Sequence, residues 1–384
     1  MSQQEQNPPP RRKHLMGVLA LIFVLAGAGY AVYWAMHARY HQTTDDAYVG
    51  GNLVQINARV AGTVIAVNAD DTQSVKEGET VVKLDDTDAA VALESAKAGL
   101  AQAVRHVRQL FENVDQYQAA LDVQQEVLRQ AKLDLTRREG LLPSNAVSSE
   151  EVEHAQATVK RATASVQLAA AQLAGAKSQV SNTTVESHPA VKQAEAHLRE
   201  AYLAWRRTQV RAPLAGFIAK RNVQVGQQIV PGTPLMVVVP LSGLWVDAHF
   251  KEDQLAKLRI GQPVILHSDV YGRSVDFHGK VMGFAPGTGS VFALLPPQNA
   301  SGNWIKIVQR LPVRIAMDEK ELAQYPLRVG LSMEVDVETR NKNGAALVAP
   351  VNETRYSTNI FDGDEKAADV LVKQVLNENL PGKN

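Results

Sequence analysis

The sequence predicts an α+β, membrane-anchored protein. Its parts are an N-terminal transmembrane helix, a split β-domain carrying an inserted antiparallel coiled-coil hairpin, and a small β-barrel. Three observations predict this. Leu15 to Met36 carries no charged side chain. Apolar residues then recur every seven positions over a long central stretch. Finally, the two segments flanking that stretch share the same glycine spacing.

The uncharged run comes first. As a helix it spans roughly 33 Å, enough to cross the hydrocarbon core. Arg11, Arg12 and Lys13 precede it, whereas only Arg39 is cationic just after it. The basic excess sets the N-terminal side as cytoplasmic, making residues 1–14 a cytoplasmic tail and 15–36 the span. Tyr30, Tyr33 and Trp34 cluster at the far end, where aromatic rings favour the interface. Leu15 to Leu25 also fits the apolar region of a cleaved signal peptide, with Ala26-Gly27-Ala28 as its cleavage site. The apolar run continues well past that point, which favours an anchor. Either way the remainder is exported, and a bacterial inner membrane with a periplasmic body is expected.

The central stretch, residues 88–208, reads as a helical hairpin. Leu93, Leu100, Val107, Val114, Leu121, Leu128 and Leu135 form one seam at a seven-residue spacing. Ala96, Ala103, Leu110, Tyr117 and Ala131 fall three residues after members of that seam, and Gln124 is its polar exception. A second seam runs Val152, Val159, Val166, Leu173, Val180, with Ala155, Ala162, Ala169 and Ala176 between. Val191, Ala194, Leu198, Ala201 and Trp205 continue it with an offset of four, a stutter. Pro189 stands at the offset and predicts a bend or break near the hairpin base. Gly140 to Asn145 is the turn, within a tip at 139–148, and Ser148 or Ser149 is placed to cap the second arm. A short turn forces the arms antiparallel.

The flanking segments come next. Gly62 and Gly78 are sixteen positions apart, as are Gly216 and Gly232, each amid short β-rich runs. Residues 54–87 plus 209–240 therefore resemble the two halves of a biotinyl/lipoyl-like domain, with these four glycines at its turns. Carrier domains of that type attach their cofactor to a Lys in the turn joining the halves. Here the hairpin replaces that turn and no Met-Lys-Met sequence exists, so no cofactor is expected.

Past Leu241 the chain alternates like half-buried strands: Met333, Val335 and Val337 against Glu334, Asp336 and Glu338. Further strands are expected at Leu244–Phe250, Pro263–His267, Val275–Phe284 and Trp304–Met317, with one helix at Lys251–Leu258. Residues 241–340 together with 37–53 make the small β-barrel. Residues 341–384 are a C-terminal tail in which Ala368, Leu371, Val372, Val375 and Leu376 form an apolar helical face.

By this layout the chain resembles a periplasmic membrane-fusion (adaptor) protein of the HlyD family, of the EmrA multidrug-export type. Three stretches carry the resemblance: Thr44-Asp45-Asp46-Ala47-Tyr48-Val49, the region from Gly287 to Trp304, and Val308 to Ile315. It covers about residues 10 to 340. It implies a homo-oligomeric adaptor of a tripartite efflux pump, partnered by an EmrB-like, proton-driven major-facilitator transporter and a TolC-like outer-membrane channel. It also implies that Arg137, Leu141 and Ser148 dock the hairpin tip to that channel. Read from the residues alone, Leu141 packs the turn, Ser148 caps a helix and Arg137 is a solvated charge.

Other chemistry finds little support. Lys plus Arg equals Asp plus Glu at 40 each, which gives no reason to expect nucleic acid. There is no cysteine, so disulfides and thiolate metal sites are excluded. No GxxxxGK[ST] motif occurs, and Gly287-Thr288-Gly289 lacks its Lys. His37 and His41 stand one helical turn apart without an evident third ligand. Asp45 and Asp46 have no base or nucleophile placed beside them, so their expected role is to start the exported strand. No enzyme activity is expected. The alternative partner is an ATP-driven exporter of a type I secretion system, which moves a polypeptide.

Overall fold

A computed structural model describes residues 10–144, 146–289, 291–292, 308–346 and 357–380. Helix α1 (Pro10–Met36) starts earlier than expected. Proline is pre-organised for a first helical position, so Arg11, Arg12 and Lys13 lie inside the helix rather than in a tail. The described side chains of its apolar stretch are almost all exposed, as a helix meant for lipid requires.

A short 3-10 turn (Ala38–Tyr40) leads into strand β1 (His41–Gly50), then four short strands, β2 (Val54–Asn57), β3 (Gly62–Val67), β4 (Ser74–Val75) and β5 (Thr80–Leu84). Helix α2 (Thr87–Leu141) runs 55 residues, about 82 Å at 1.5 Å per residue. The return arm is two helices, α3 (Ser149–Val180) and α4 (Pro189–Arg206). The stutter is thus a full break, not a bend. Proline opens α4 at its first position, and His188 caps it by accepting from the Ala190 N–H at 3.2 Å.

Strands β6 (Gln209–Arg211), β7 (Gly216–Arg221), β8 (Gln228–Ile229) and β9 (Pro234–Val239) complete the split domain. Its two sheets have the orders β2-β9-β7-β4 and β6-β5-β3-β8. Each sheet takes two strands from either side of the hairpin, so neither half closes a sheet alone. Strands β5 and β6 pair antiparallel, Thr80 opposite Arg211 and Lys83 opposite Gln209, which staples the hairpin where it leaves the domain. Val81, Val82, Leu84, Ile218, Leu235 and Met236 fill the space between the sheets.

The four glycines do not share one role. Gly78 (φ 79°) and Gly232 (φ 90°) occupy turns that need a positive φ. Gly62 and Gly216 instead begin β3 and β7, which corrects their assignment to turns. At Gly216 the need is space: a Cβ there would lie 2.7 Å from the Val239 carbonyl oxygen. At Gly62 the nearest atom would be at 3.4 Å. The repeat extends to a pair not read from sequence, Thr72 (φ 71°) and Gly226 (φ 83°), each ten positions after the first glycine of its copy.

The remaining strands are β10 (Trp245–Lys251), β11 (Pro263–Ser268), β12 (Gly272–Phe284), β13 (Arg310–Met317) and β14 (Ser332–Glu338). With β1 they close a barrel in the order β1-β10-β13-β12-β11-β14. Strand β1 is the closing stave, pairing with β10 on one side and β14 on the other. Phe250, Phe277, Ile315, Val335 and Val337 fill the interior. The helix expected over Lys251–Leu258 shortens to α5 (Glu252–Leu255), and α6 (Glu319–Gln324) was not foreseen. The first residues of the expected strand at Trp304–Met317 lie outside the described residues, as does most of 284–310 beyond Phe292.

The C-terminal segment is not a free tail. Helix α7 (Asp362–Asn379) lays Val372, Val375 and Leu376 against Leu93, Leu100, Val104 and Val107 of α2 and Val191 and Leu198 of α4. Three helices therefore form the hairpin base. Val104 is fully buried there although it lies one residue past the seam, because α2 must face a third helix as well as α4. Farther out only two helices pack, and the buried side chains described there are Leu121 of α2 and Val152, Ala155, Ala162, Ala169, Leu173 and Val180 of α3.

Candidate functional site

The hairpin tip is built from the ends of α2 and α3. A short 3-10 turn, Leu142–Ser144, continues α2, and α3 begins at Ser149. Ser148 is the cap. Its Oγ accepts from the Glu151 N–H at 3.2 Å, and Glu151 Oε2 accepts from the Ser148 N–H at 2.8 Å. Two donors that a helix start leaves unpaired are thereby satisfied reciprocally. The sequence places Glu150, Glu151 and Glu153 near the positive end of this arm, and the structure gives Glu151 the further role of closing the Ser-x-x-Glu box at 148–151. The Ser148 N–H and hydroxyl, with a smaller contribution from Arg138, hold the Glu151 carboxyl below its ordinary range.

Arg137 and Leu141 are four residues apart on α2, so they share one face. Arg137 is exposed and makes no side-chain hydrogen bond or ion pair among the described residues, whereas neighbouring Arg138 pairs with Asp134 at 2.8 Å. Leu141 is 47% exposed and Leu142 39%. The structure thus gathers a charged guanidinium and two leucines around one end of a rigid rod. Ser148 lies across the turn, with its hydroxyl proton turned to Glu151 at 3.3 Å and one oxygen lone pair left over.

A second cluster lies on the barrel. Arg310 Nη1 reaches Asp46 Oδ2 at 2.7 Å, and His249 Nδ1 lies 3.6 Å from Asp46 Oδ1. The β1 ladder slips between Thr44 and Ala47, and this bulge turns Asp46 toward its partners. Two of the stretches that carried the family resemblance, 44–49 and 308–315, therefore meet in space. Asp46 pins the barrel across 264 positions of sequence rather than merely starting a strand. His41 turns to Asp336 at 3.0 Å while its ring lies against that of His37, tilted by 41° with centroids 4.2 Å apart. No group of three His, Asp or Glu side chains suited to a metal occurs among the described residues.

A helical hairpin interrupting a two-sheet domain, with a closed barrel and one N-terminal apolar helix, is the build of a membrane-fusion protein. The family described as "EMRA, alpha-helical hairpin domain" matches residues 87–208. The multidrug export protein EmrA of Escherichia coli (strain K12) is 48% identical over 323 residues, 84% of this chain and 83% of that protein. The protein of the same name in Haemophilus influenzae is 40% identical over 96% of this chain and 95% of its own length. A solved structure, of the periplasmic adaptor protein EmrA, matches 78% of this chain and 99% of that one at 22% identity and a TM-score of 0.39. The chain belongs to the EmrA-type membrane-fusion proteins of the HlyD family. These relatives are export adaptors, not enzymes.

Proposed function

We propose that this chain is the periplasmic adaptor of a tripartite multidrug efflux pump. It joins an inner-membrane, proton-driven major-facilitator transporter of the EmrB type to a TolC-like outer-membrane channel. Helix α1 anchors it with the N-terminus in the cytoplasm, a direction supported by Arg11, Arg12 and Lys13 against the lone Arg39 beyond the span. The barrel and split domain stand above the membrane and the hairpin reaches outward. Val123, Val127 and Leu168 stand exposed on the hairpin, which favours side-by-side packing of several copies.

The tip carries this reading. The Arg137 guanidinium offers five donors and no acceptor, a match for the unpaired carbonyls at a helix C-terminus of the channel. Leu141 adds apolar area beside it, and Ser148 adds an exposed acceptor. The relatives' names speak of drug export, which favours a small-molecule transporter over a polypeptide exporter as partner.

Length tests the bridge. Removing Val114–Val127 and Val166–Gln179 takes two heptads from each arm, keeps the seam in register and leaves the tip intact. It shortens the rod by about 21 Å. The expected result is membrane-inserted protein that no longer supports drug resistance in cells. Full resistance with the shortened hairpin refutes the bridging role.

A further inference from the structure

Where the hairpin base, the split domain and α7 meet, there is a cavity of about 240 Å³. Four guanidinium groups line it, from Arg59, Arg206, Arg207 and Arg211, against a single carboxylate, Asp364. Asp364 is already committed. It is 7% exposed, accepts from Arg206 Nε at 3.2 Å and pairs with Arg211. Arg59 and Arg207 have no carboxylate partner among the described residues. The Arg59 guanidinium lies 4.5 Å over the ring of Phe361. Partial burial and then the charge of Arg207 pull it below its ordinary pKa, while Asp364 opposes that shift.

The rest of the wall is largely apolar. Ile56 and Val210 are buried strand residues of the split domain, and Phe361 contributes its ring. An apolar wall beside an excess of cations is a poor arrangement for an empty site. The guanidiniums repel one another in a region partly withdrawn from water, where such repulsion is less screened. A bound anion relieves it, and an apolar body on that anion covers the wall. Arginine suits the task because its planar fork can hold a carboxylate by two parallel bonds.

We propose that this cavity binds an amphipathic organic anion. Its carboxylate-like head lies between Arg59 and Arg207, and its apolar body lies along Ile56, Val210 and Phe361. The site is separate from the hairpin tip and does not depend on the identity of either pump partner. The occupant is taken to be a soluble molecule rather than a membrane lipid. Strand β1, a stave of the barrel, intervenes in the chain between the anchor and the split domain, so the cavity belongs to a domain that the span does not enter directly.

The test is calorimetric titration of the full chain in phosphatidylcholine nanodiscs, with empty discs as the blank. The probes are 2-naphthoate, its neutral analogue 2-naphthamide, and inorganic phosphate. The expected result is saturable 2-naphthoate binding, at least tenfold weaker binding of 2-naphthamide, and no displacement by equimolar phosphate. The double variant Arg59→Gln/Arg207→Gln should weaken naphthoate binding at least tenfold with an unchanged melting temperature. Arg59→Lys/Arg207→Lys should restore much of the loss. If the double variant does not fold, each single Gln variant carries the same comparison. Equal affinity for naphthoate and naphthamide, or naphthoate binding indifferent to both substitutions, overturns the proposal. Displacement by phosphate overturns its amphipathic part. Replacing half the phospholipid with phosphatidylglycerol should leave the naphthoate affinity unchanged, and a tenfold loss there would assign the cavity to lipid instead.

Discussion

Ser148 separates helix capping from docking in a single side chain. Ser148→Ala removes the acceptor for the Glu151 N–H and costs about 1 kcal/mol at the start of α3. That energy raises local opening roughly fivefold. Val152, 6% exposed and just inside the first turn, then leaves the seam more often. Ser148→Asn keeps a capping acceptor of equal rank but replaces the hydroxyl with an amide. Amide hydrogen exchange at Glu151 and Val152 reads the cap, and crosslinking of the tip to the outer-membrane channel reads docking. Exchange should accelerate about fivefold in the Ala variant and stay near wild type in the Asn variant. Crosslinking should fall in both. An Asn variant that crosslinks like wild type would show Ser148 to be a cap alone, and unchanged exchange in the Ala variant would refute the capping argument. Acid should act on the same turn. Glu151 titrates lower in the folded chain than in the unfolded one, so its contribution is present above the ordinary Glu pKa. It is lost as pH falls through the depressed folded value, and exchange at the α3 start should rise over that acidic window.

Three further outcomes follow from the packing. Gly216→Ala should destabilise the split domain by about 2 kcal/mol, because its Cβ meets the Val239 backbone, while Gly62→Ala should cost less than about 1 kcal/mol; thermal melting of the two variants checks this. Thr72→Gly should stabilise by about 0.5 to 1 kcal/mol by relieving a left-handed backbone that the second copy gives to Gly226, which denaturant titration can measure. Asp364→Ala leaves two partly buried guanidiniums without their carboxylate and should cost about 3 kcal/mol. The expected sign is faster tryptic cleavage at Lys366 and Lys373 as α7 loosens from the hairpin base, and unchanged cleavage would refute the clamp.

Capping, turn and seam at the tip were legible in sequence because each depends on residues within one or two helical turns. The Ser-x-x-Glu box at 148–151 is equally local. The stutter was legible too, but its consequence was not. An offset of four permits either a bent helix or two separate ones, and the choice fell to Pro189 opening α4 while α2 and α7 hold Val191 and Leu198. The apolar face of α7 was visible in the periodicity of Ala368 to Leu376, whereas its partner was not, since any exposed apolar groove would satisfy the same pattern.

The sequence by itself determined the membrane span, the seven-residue seams and the duplicated glycine spacing. Charge-free length, helical period and turn chemistry are local properties that act before the chain has a shape. Only the tertiary structure decided that strands from both sides of the hairpin interleave in each sheet. It alone set Asp46 against Arg310, and brought Arg59, Arg207 and Phe361 around one cavity. These groups are separated by well over a hundred positions, and their meeting depends on the path the whole backbone takes. The long hairpin returns the chain to its starting point, so residues far apart in sequence become neighbours at its base.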